Sequence, residues 1–118
     1  MMAGGISIHV YDVSRGVPAA GLQVELKGPD GATLAAGTVG ATGAFDHPTV
    51  RGEGLRETGL YEALFHIGAW YRSQGVVLPI PAFLEIVPYR FGIADLGQHY
   101  HLPLKMTPWG FSLFRGGA

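Results

Sequence analysis

Cysteine is absent from the chain. Disulfides and thiolate metal ligands are therefore excluded, while the compartment stays open. Charge is scarce: Asp, Glu, Lys and Arg make up 14% of the residues, well below the roughly 25% of an ordinary soluble domain. So few charges on a small chain imply that part of its surface is covered by another subunit. The net charge is −1 and the basic residues are scattered, which argues against nucleic acid or a membrane surface as partner. No apolar run approaches the roughly 18 residues of a membrane span. Met1 to Asp12 lacks a basic segment followed by an apolar run, and the closing Arg115-Gly116-Gly117-Ala118 is not a peroxisomal address. A cytoplasmic location is the expectation. There is no phosphate loop, dinucleotide fingerprint or Gly-x-Ser-x-Gly elbow, and no cofactor is expected.

What is present is punctuation. The 118 residues fit a single domain spanning 1–118, and 19 glycines and 8 prolines separate short apolar runs. That spacing predicts an all-β sandwich or barrel. Residues 5–12 alternate, with Ile6, Ile8 and Val10 facing one way and Ser7, His9 and Tyr11 the other. A turn is expected at Gly16-Val17-Pro18, and Leu22 to Leu26 alternates again. Gly28-Pro29-Asp30-Gly31 reads as a hairpin turn leading to a strand near 32–38. The glycine-rich stretch 39–58 reads as irregular, with one short strand near 44–46. Leu60 to Ile67 is expected as a strand and Gly68 to Gly75 as one short helix closed by its glycine. Phe83 to Ile93 reads as a long strand with an edge or bulge at Pro88. The last two strands are expected over 99–106 and 110–115.

Five histidines are present: His9, His47, His66, His99 and His101. Alternation in 99–106 groups Tyr100, Leu102, Leu104 and Met106 as the apolar set and turns His99, His101 and Lys105 away from it. His9 likewise lies opposite its strand's apolar set. If these outward faces meet across a subunit interface, two imidazoles can supply a general base and a general acid near neutrality. Most outward strand histidines are only solvated. A His-x-His pair can bind zinc, but no third ligand with suitable spacing is evident, and no metal site is expected. Asp95, before a glycine turn, reads as a turn former.

These residues also carry a family resemblance. Ile8-His9-Val10-Tyr11-Asp12 followed by Gly16-Val17-Pro18-Ala19-Ala20-Gly21 resembles the opening of the 5-hydroxyisourate hydrolases, the enzymatic relatives of transthyretin. Tyr61-Glu62 through Phe65-His66-Ile67-Gly68 is similar to their middle strand and helix start. Pro88-Tyr89-Arg90-Phe91-Gly92-Ile93 and His99-Tyr100-His101-Leu102-Pro103-Leu104 resemble their later strands, and Ser112-Leu113-Phe114-Arg115-Gly116-Gly117 their closing Ser-Thr-Tyr-Arg-Gly-Ser. The match is collinear over nearly the whole chain. It implies a transthyretin-like sandwich of two four-stranded sheets with one short helix. It also implies a homotetramer whose outer sheet faces form a channel, and opening of a six-membered-ring amide in urate catabolism to give a ureidoimidazoline carboxylate. The implied catalytic pair is His9 and His101. The alternative is a non-catalytic tetramer that binds a small ligand in the same channel.

Of the four site residues that the resemblance implies, namely His9, an arginine, His101 and the terminal serine, the arginine and the serine are missing. Ala44 stands where the family has an arginine after a glycine, leaving Arg51, Arg56 or Lys105 as substitutes. Gly117 replaces the terminal serine, and Phe114 replaces the neighbouring tyrosine. Tyr11, Ala44, Lys105, Ser112, Phe114, Arg115 and Gly117 are the expected substrate-binding positions. The losses all remove polar groups. A site that no longer hydrogen-bonds the N–H edges of a urate-like ring suits a purine-derived substrate whose nitrogens carry methyls, such as trimethylated hydroxyisourate from methylxanthine oxidation.

Overall fold

A computed structural model describes residues 4–51 and 54–117; the first three residues, the pair 52–53 within the glycine-rich stretch, and Ala118 lie outside the described residues. The strands are β1 (Ile6–Asp12), β2 (Val17–Pro18), β3 (Gln23–Lys27), β4 (Thr33–Thr38), β5 (Ala44–Phe45), β6 (Gly59–Phe65), β7 (Val87–Ile93), β8 (Tyr100–Met106) and β9 (Phe111–Leu113). The helix α1 (Ile67–Ser73) joins β6 to the segment before β7, and a single 3-10 turn covers Pro48–Val50.

Two sheets pack face to face. One runs β4-β3-β6-β7; the other runs β2-β1-β8-β9, with β5 added to β1. The expected pair of four-stranded sheets thus gains a fifth short strand. The cause is that β1 has two partners on one edge: Tyr11 and Asp12 pair with β2, while Ile8 and His9 pair with β5. Gly43, at φ 93°, supplies the left-handed turn that swings Ala44 back against His9. On its other edge β1 runs parallel to β8.

The alternation read in the sequence is the packing. Ile6, Ile8 and Val10 from β1 and Leu102, Leu104 and Met106 from β8 are buried together with Val24, Leu26, Tyr61, Ala63 and Phe65 of the other sheet. Each such aliphatic side chain stabilises the fold by about 1.5–3 kcal/mol on burial. The helix is fastened to this core by Tyr71, whose hydroxyl donates to Asp12 Oδ1 at 2.8 Å, and by Trp70, whose indole donates to the Ala20 carbonyl at 2.7 Å.

Several boundaries differ from the sequence reading: Ile67 opens the helix instead of closing β6, and the last strand covers Phe111–Leu113 rather than 110–115. Val17 and Pro18 form a strand rather than a turn, because the chain has already reversed by Gly16, whose N–H donates to the Asp12 carbonyl at 2.9 Å. The strand expected from Phe83 begins only at Val87. Glu85 holds the preceding segment off the sheet: its carboxylate accepts two bonds from Arg72 and one from the Ala82 N–H. Pro88 lies in β7, an edge strand, where a missing N–H is tolerated.

Candidate active site

The outer face of the β1–β8 sheet gathers the histidines. Ile8 and Val10 point inward, so Ser7, His9 and Tyr11 are turned out; on β8 the same parity turns out His101, Pro103 and Lys105. The parallel register sets Ser7 beside His101 and His9 beside Pro103. The rings of His9 and His101 then stand 5.8 Å apart, edge to face. Tyr11 stacks on the other side of His9 at 6.3 Å, and its hydroxyl donates to the Thr42 carbonyl at 3.3 Å.

Ser7 is the hub of a hydrogen-bonded row. Its Oγ lies 2.6 Å from His101 Nδ1 and 2.8 Å from His99 Nε2. His99 Nδ1 in turn donates to the Gly4 carbonyl at 2.8 Å. Since Nδ1 of His101 is engaged with Ser7, Nε2 is its nitrogen available for chemistry. Burial, then the neighbouring His9 and His99, hold the His101 imidazole below its ordinary value, against the opposing hydrogen bond with Ser7. These surroundings favour the neutral form of the ring. Its backbone is clamped from the tail, where the Gly116 N–H donates to the His101 carbonyl at 2.7 Å.

Beside His9 opens a cleft of about 790 Å³, lined by Ser7, His9, Thr42, Ala44, His99 and the pair Asp46 and Arg51, over an apolar floor that includes Ile6, Phe45 and Val50. Arg51 donates to both Asp46 oxygens, at 2.8 and 2.6 Å. This bidentate pair holds the guanidinium at the cleft wall. A smaller hollow on the other side, lined by Ser7, His99, His101 and Gly117, adjoins it.

The residues singled out in the sequence divide accordingly. Ala44 sits directly opposite His9. Gly117 borders the hollow beside His101, and a Cβ there would meet open space. Lys105 pairs with Tyr11 on one side and Ser112 on the other, farther along the same face. The register continues from Leu104↔Leu113 to His101↔Gly116, which sets Phe114 beside Pro103, half-exposed on that face. Arg115 turns away: its guanidinium lies 4.1 Å over the Tyr100 ring and donates to the carbonyl of His99 and to Gln98. Of the three candidate substitutes for the absent arginine, Arg51 lines the cleft with His9, Arg56 borders a separate groove with Tyr61, and Lys105 lies apart from both. His66 pairs with Glu25 on the opposite sheet, and His47 caps the 3-10 turn.

Ser7, His99 and Gly116 were not singled out as site residues. Alternation had already turned Ser7 and His99 outward, but the bond between residues 92 positions apart exists only once β1 and β8 lie parallel.

Residues 6–116 match the family model described as the HIUase/Transthyretin family. Among similar proteins, 5-hydroxyisourate hydrolase 2 of Rhizobium meliloti (strain 1021) is 47% identical over 117 residues, covering 97% of each chain. The solved structure of Klebsiella pneumoniae 5-hydroxyisourate hydrolase superposes with a TM-score of 0.80 at 29% identity, covering 97% of this chain and 99% of that one. The crystal structure of (S)-allantoin synthase superposes with a TM-score of 0.88 at 30% identity; this chain covers 44% of that longer protein.

Proposed function

Because the chain belongs to the HIUase/Transthyretin family, we propose that it hydrolyses the six-membered-ring amide of 5-hydroxyisourate or an N-methylated analogue. The observation that carries this reading is the half-buried His101 ring, bonded through Nδ1 to Ser7 and 5.8 Å from a second imidazole on the wall of a cleft. Amide hydrolysis needs a water deprotonated for attack and a proton delivered to the departing nitrogen. His101 Nε2 takes the proton from water as the oxygen bonds to the ring carbonyl carbon. Collapse of the tetrahedral adduct breaks the C–N bond, and His9 supplies the proton that the nitrogen requires. The product is the ureidoimidazoline carboxylate, and His9 is reprotonated from solvent. Arg51, aligned by Asp46, offers its remaining N–H donors to the carbonyl oxygens of the ring.

The substrate reading goes one step finer. Ala44 beside His9 and Gly117 beside His101 present no polar side chain to the ring nitrogens. A ring whose nitrogens carry methyl groups leaves no donor unpaired there, and the apolar floor receives the methyls. Each avoided unpaired group is worth about 1–3 kcal/mol in selectivity. We assign the active form to a homotetramer in which the outer faces of the β1–β8 sheets close the cleft, consistent with an open site on one chain and scarce surface charge.

The test is the ratio of specificity constants for trimethylated and unmethylated hydroxyisourate, measured on freshly generated substrate. The trimethylated ring is expected to be hydrolysed at least as efficiently. A strong preference for the unmethylated ring removes the methylated reading, and failure to hydrolyse either removes the hydrolase reading.

A further inference from the structure

We propose that Ser7 and His99 form a proton relay behind His101, in which Ser7 passes the proton and His99 stores it, so that His101 accepts a proton at Nε2 without remaining a buried cation. The inference rests on the hydrolase reading for its role in turnover, but the tautomers it requires exist without substrate.

The direction of every bond in the row follows from its far end. The Gly4 carbonyl has no proton to give, so His99 Nδ1 carries the hydrogen in their 2.8 Å bond. A neutral imidazole protonated at Nδ1 accepts at Nε2. The Ser7 hydroxyl therefore donates to His99 Nε2 at 2.8 Å. With its one proton committed, Ser7 Oγ meets His101 Nδ1 at 2.6 Å as an acceptor, so His101 carries its own proton at Nδ1. The lone pair at His101 Nε2 is left free. A backbone carbonyl thus selects the base tautomer of a ring 97 residues away through two intervening side chains.

During attack the row runs one step. As Nε2 takes the proton from water, the Nδ1 proton of His101 moves to Ser7 Oγ, and the Ser7 proton moves to His99 Nε2. One proton enters at His101 and one appears at His99. His101 ends neutral with its hydrogen on Nε2, and His99 becomes an imidazolium with both nitrogens donating. The charge comes to rest on a solvent-exposed side chain instead of the half-buried ring next to His9. His101 then gives up its Nε2 proton to solvent, the stored proton returns from His99 Nε2 through Ser7 to His101 Nδ1, and the starting tautomers are restored.

The same wiring acts in reverse when His99 is protonated by acid. Its Nε2–H donates to Ser7, Ser7 donates to His101 Nδ1, and the proton of His101 is left on Nε2, where it blocks attack. The charged and titratable groups around His99 are His101 in the strand that follows it, His9 on β1, Asp46 and Arg51 across the cleft, and Arg115, which donates to the His99 carbonyl.

The experiment has two arms on the full-length protein. Imidazole 15N NMR without substrate is expected to show His101 with Nδ1 protonated and Nε2 bare at pH 8, moving to the Nε2–H form as His99 is protonated. In Ser7→Ala the preference disappears and His101 no longer follows His99. In the kinetic arm, Ser7→Ala and His99→Gln are expected to lower kcat about ten- to a hundredfold with KM little changed, while Ser7→Thr, which keeps the hydroxyl, retains most of the turnover. An Nε2–H tautomer for His101 in the wild type at pH 8 would falsify the relay. So would an unaltered kcat and pH profile in Ser7→Ala. A wild-type protein that turns over neither ring removes the hydrolase reading alone and leaves the tautomer measurement to decide the wiring.

Discussion

Gly116 lies flat against the ring of His101: a Cβ at residue 116 would come 2.8 Å from His101 Cδ2. That approach is closer than real side chains tolerate, so only glycine permits the 2.7 Å bond from the Gly116 N–H to the His101 carbonyl with the ring in place. Gly116→Ala is therefore expected to push the imidazole off Ser7 and lower kcat by about ten- to a hundredfold. Because residue 116 is at the half-exposed tail, the melting temperature should move little. A variant with unchanged kcat would show that the ring position is not held from this side.

His9→Ala and His101→Ala are each expected to cut kcat/KM on the order of a hundredfold or more with the fold intact by circular dichroism. The pH dependence follows from the lowered value of His101. Its neutral form is the active one and persists below the ordinary imidazole range. In Ser7→Ala, where protonation of His99 no longer reaches His101, the acid limb of kcat/KM should therefore lie below pH 6.5, the ordinary value. Rates that rise as the pH falls through that limb would contradict a basic role.

Arg51→Ala should lower kcat/KM by about ten- to a hundredfold, the cost of one charge-assisted hydrogen bond. Asp46→Asn should raise KM more than it lowers kcat, because it loosens the guanidinium without removing it. Arg56→Ala, in a separate groove, is the control expected to behave as wild type. Equal effects of Arg51→Ala and Arg56→Ala on kcat/KM would detach Arg51 from the substrate.

Ala44→Arg combined with Gly117→Ser should shift preference towards the unmethylated ring. The arginine enters directly opposite His9, and the serine enters open space at residue 117. Both add donors where a methyl would otherwise sit. The ratio of specificity constants for the two rings is the readout, and a ratio unmoved by both changes would mean these positions do not read the ring nitrogens.

Tyr71→Phe should destabilise the fold by about 1–3 kcal/mol at pH 7, since it leaves a buried carboxylate short of a donor. Burial pushes the Asp12 carboxyl up, but bonds from Ser14, Arg15 and Tyr71 outweigh it and hold the net value below the ordinary one. A depressed folded-state value stabilises the protein above the unfolded carboxylate value, and that contribution is lost as the pH falls through the folded value. Without Tyr71 the folded value rises, so the acid loss should be smaller and end at a higher pH, and the two curves should converge as the pH falls. Urea midpoints between pH 7 and pH 3 check this, and parallel curves for wild type and variant would refute it.

The layers of this fold were legible because their cause is local. Period-two alternation in Ile6-Ser7-Ile8-His9-Val10 and in Tyr100-His101-Leu102 states which side chains enter the core. That parity also turned out His9 and His101. What alternation does not encode is which strand lies beside which. The contact of Ser7 with His101, the place of Ala44 against His9 and the entry of Arg51 into the cleft all follow from register between distant segments. The 83–86 stretch reads as strand from its apolar residues, yet Phe83 is exposed, because three bonds to Glu85 hold the segment away from the sheet.

The divided edge of β1 bears on strand addition from another chain. A sheet grows by strand addition where a neighbour offers a long row of free N–H and C=O groups. On the β1 side that row is broken into β2 and β5, each two residues long, too short to template another chain. The far side of the same sheet ends in the three residues of β9, and in the other sheet Pro88 interrupts the donors of β7. Among the described strands, β4, six residues long, keeps the longest uninterrupted border, ahead of the five residues of β7 that follow Pro88. A lysine or proline placed in Thr33–Thr38 would interrupt the longest open border without touching the histidine face.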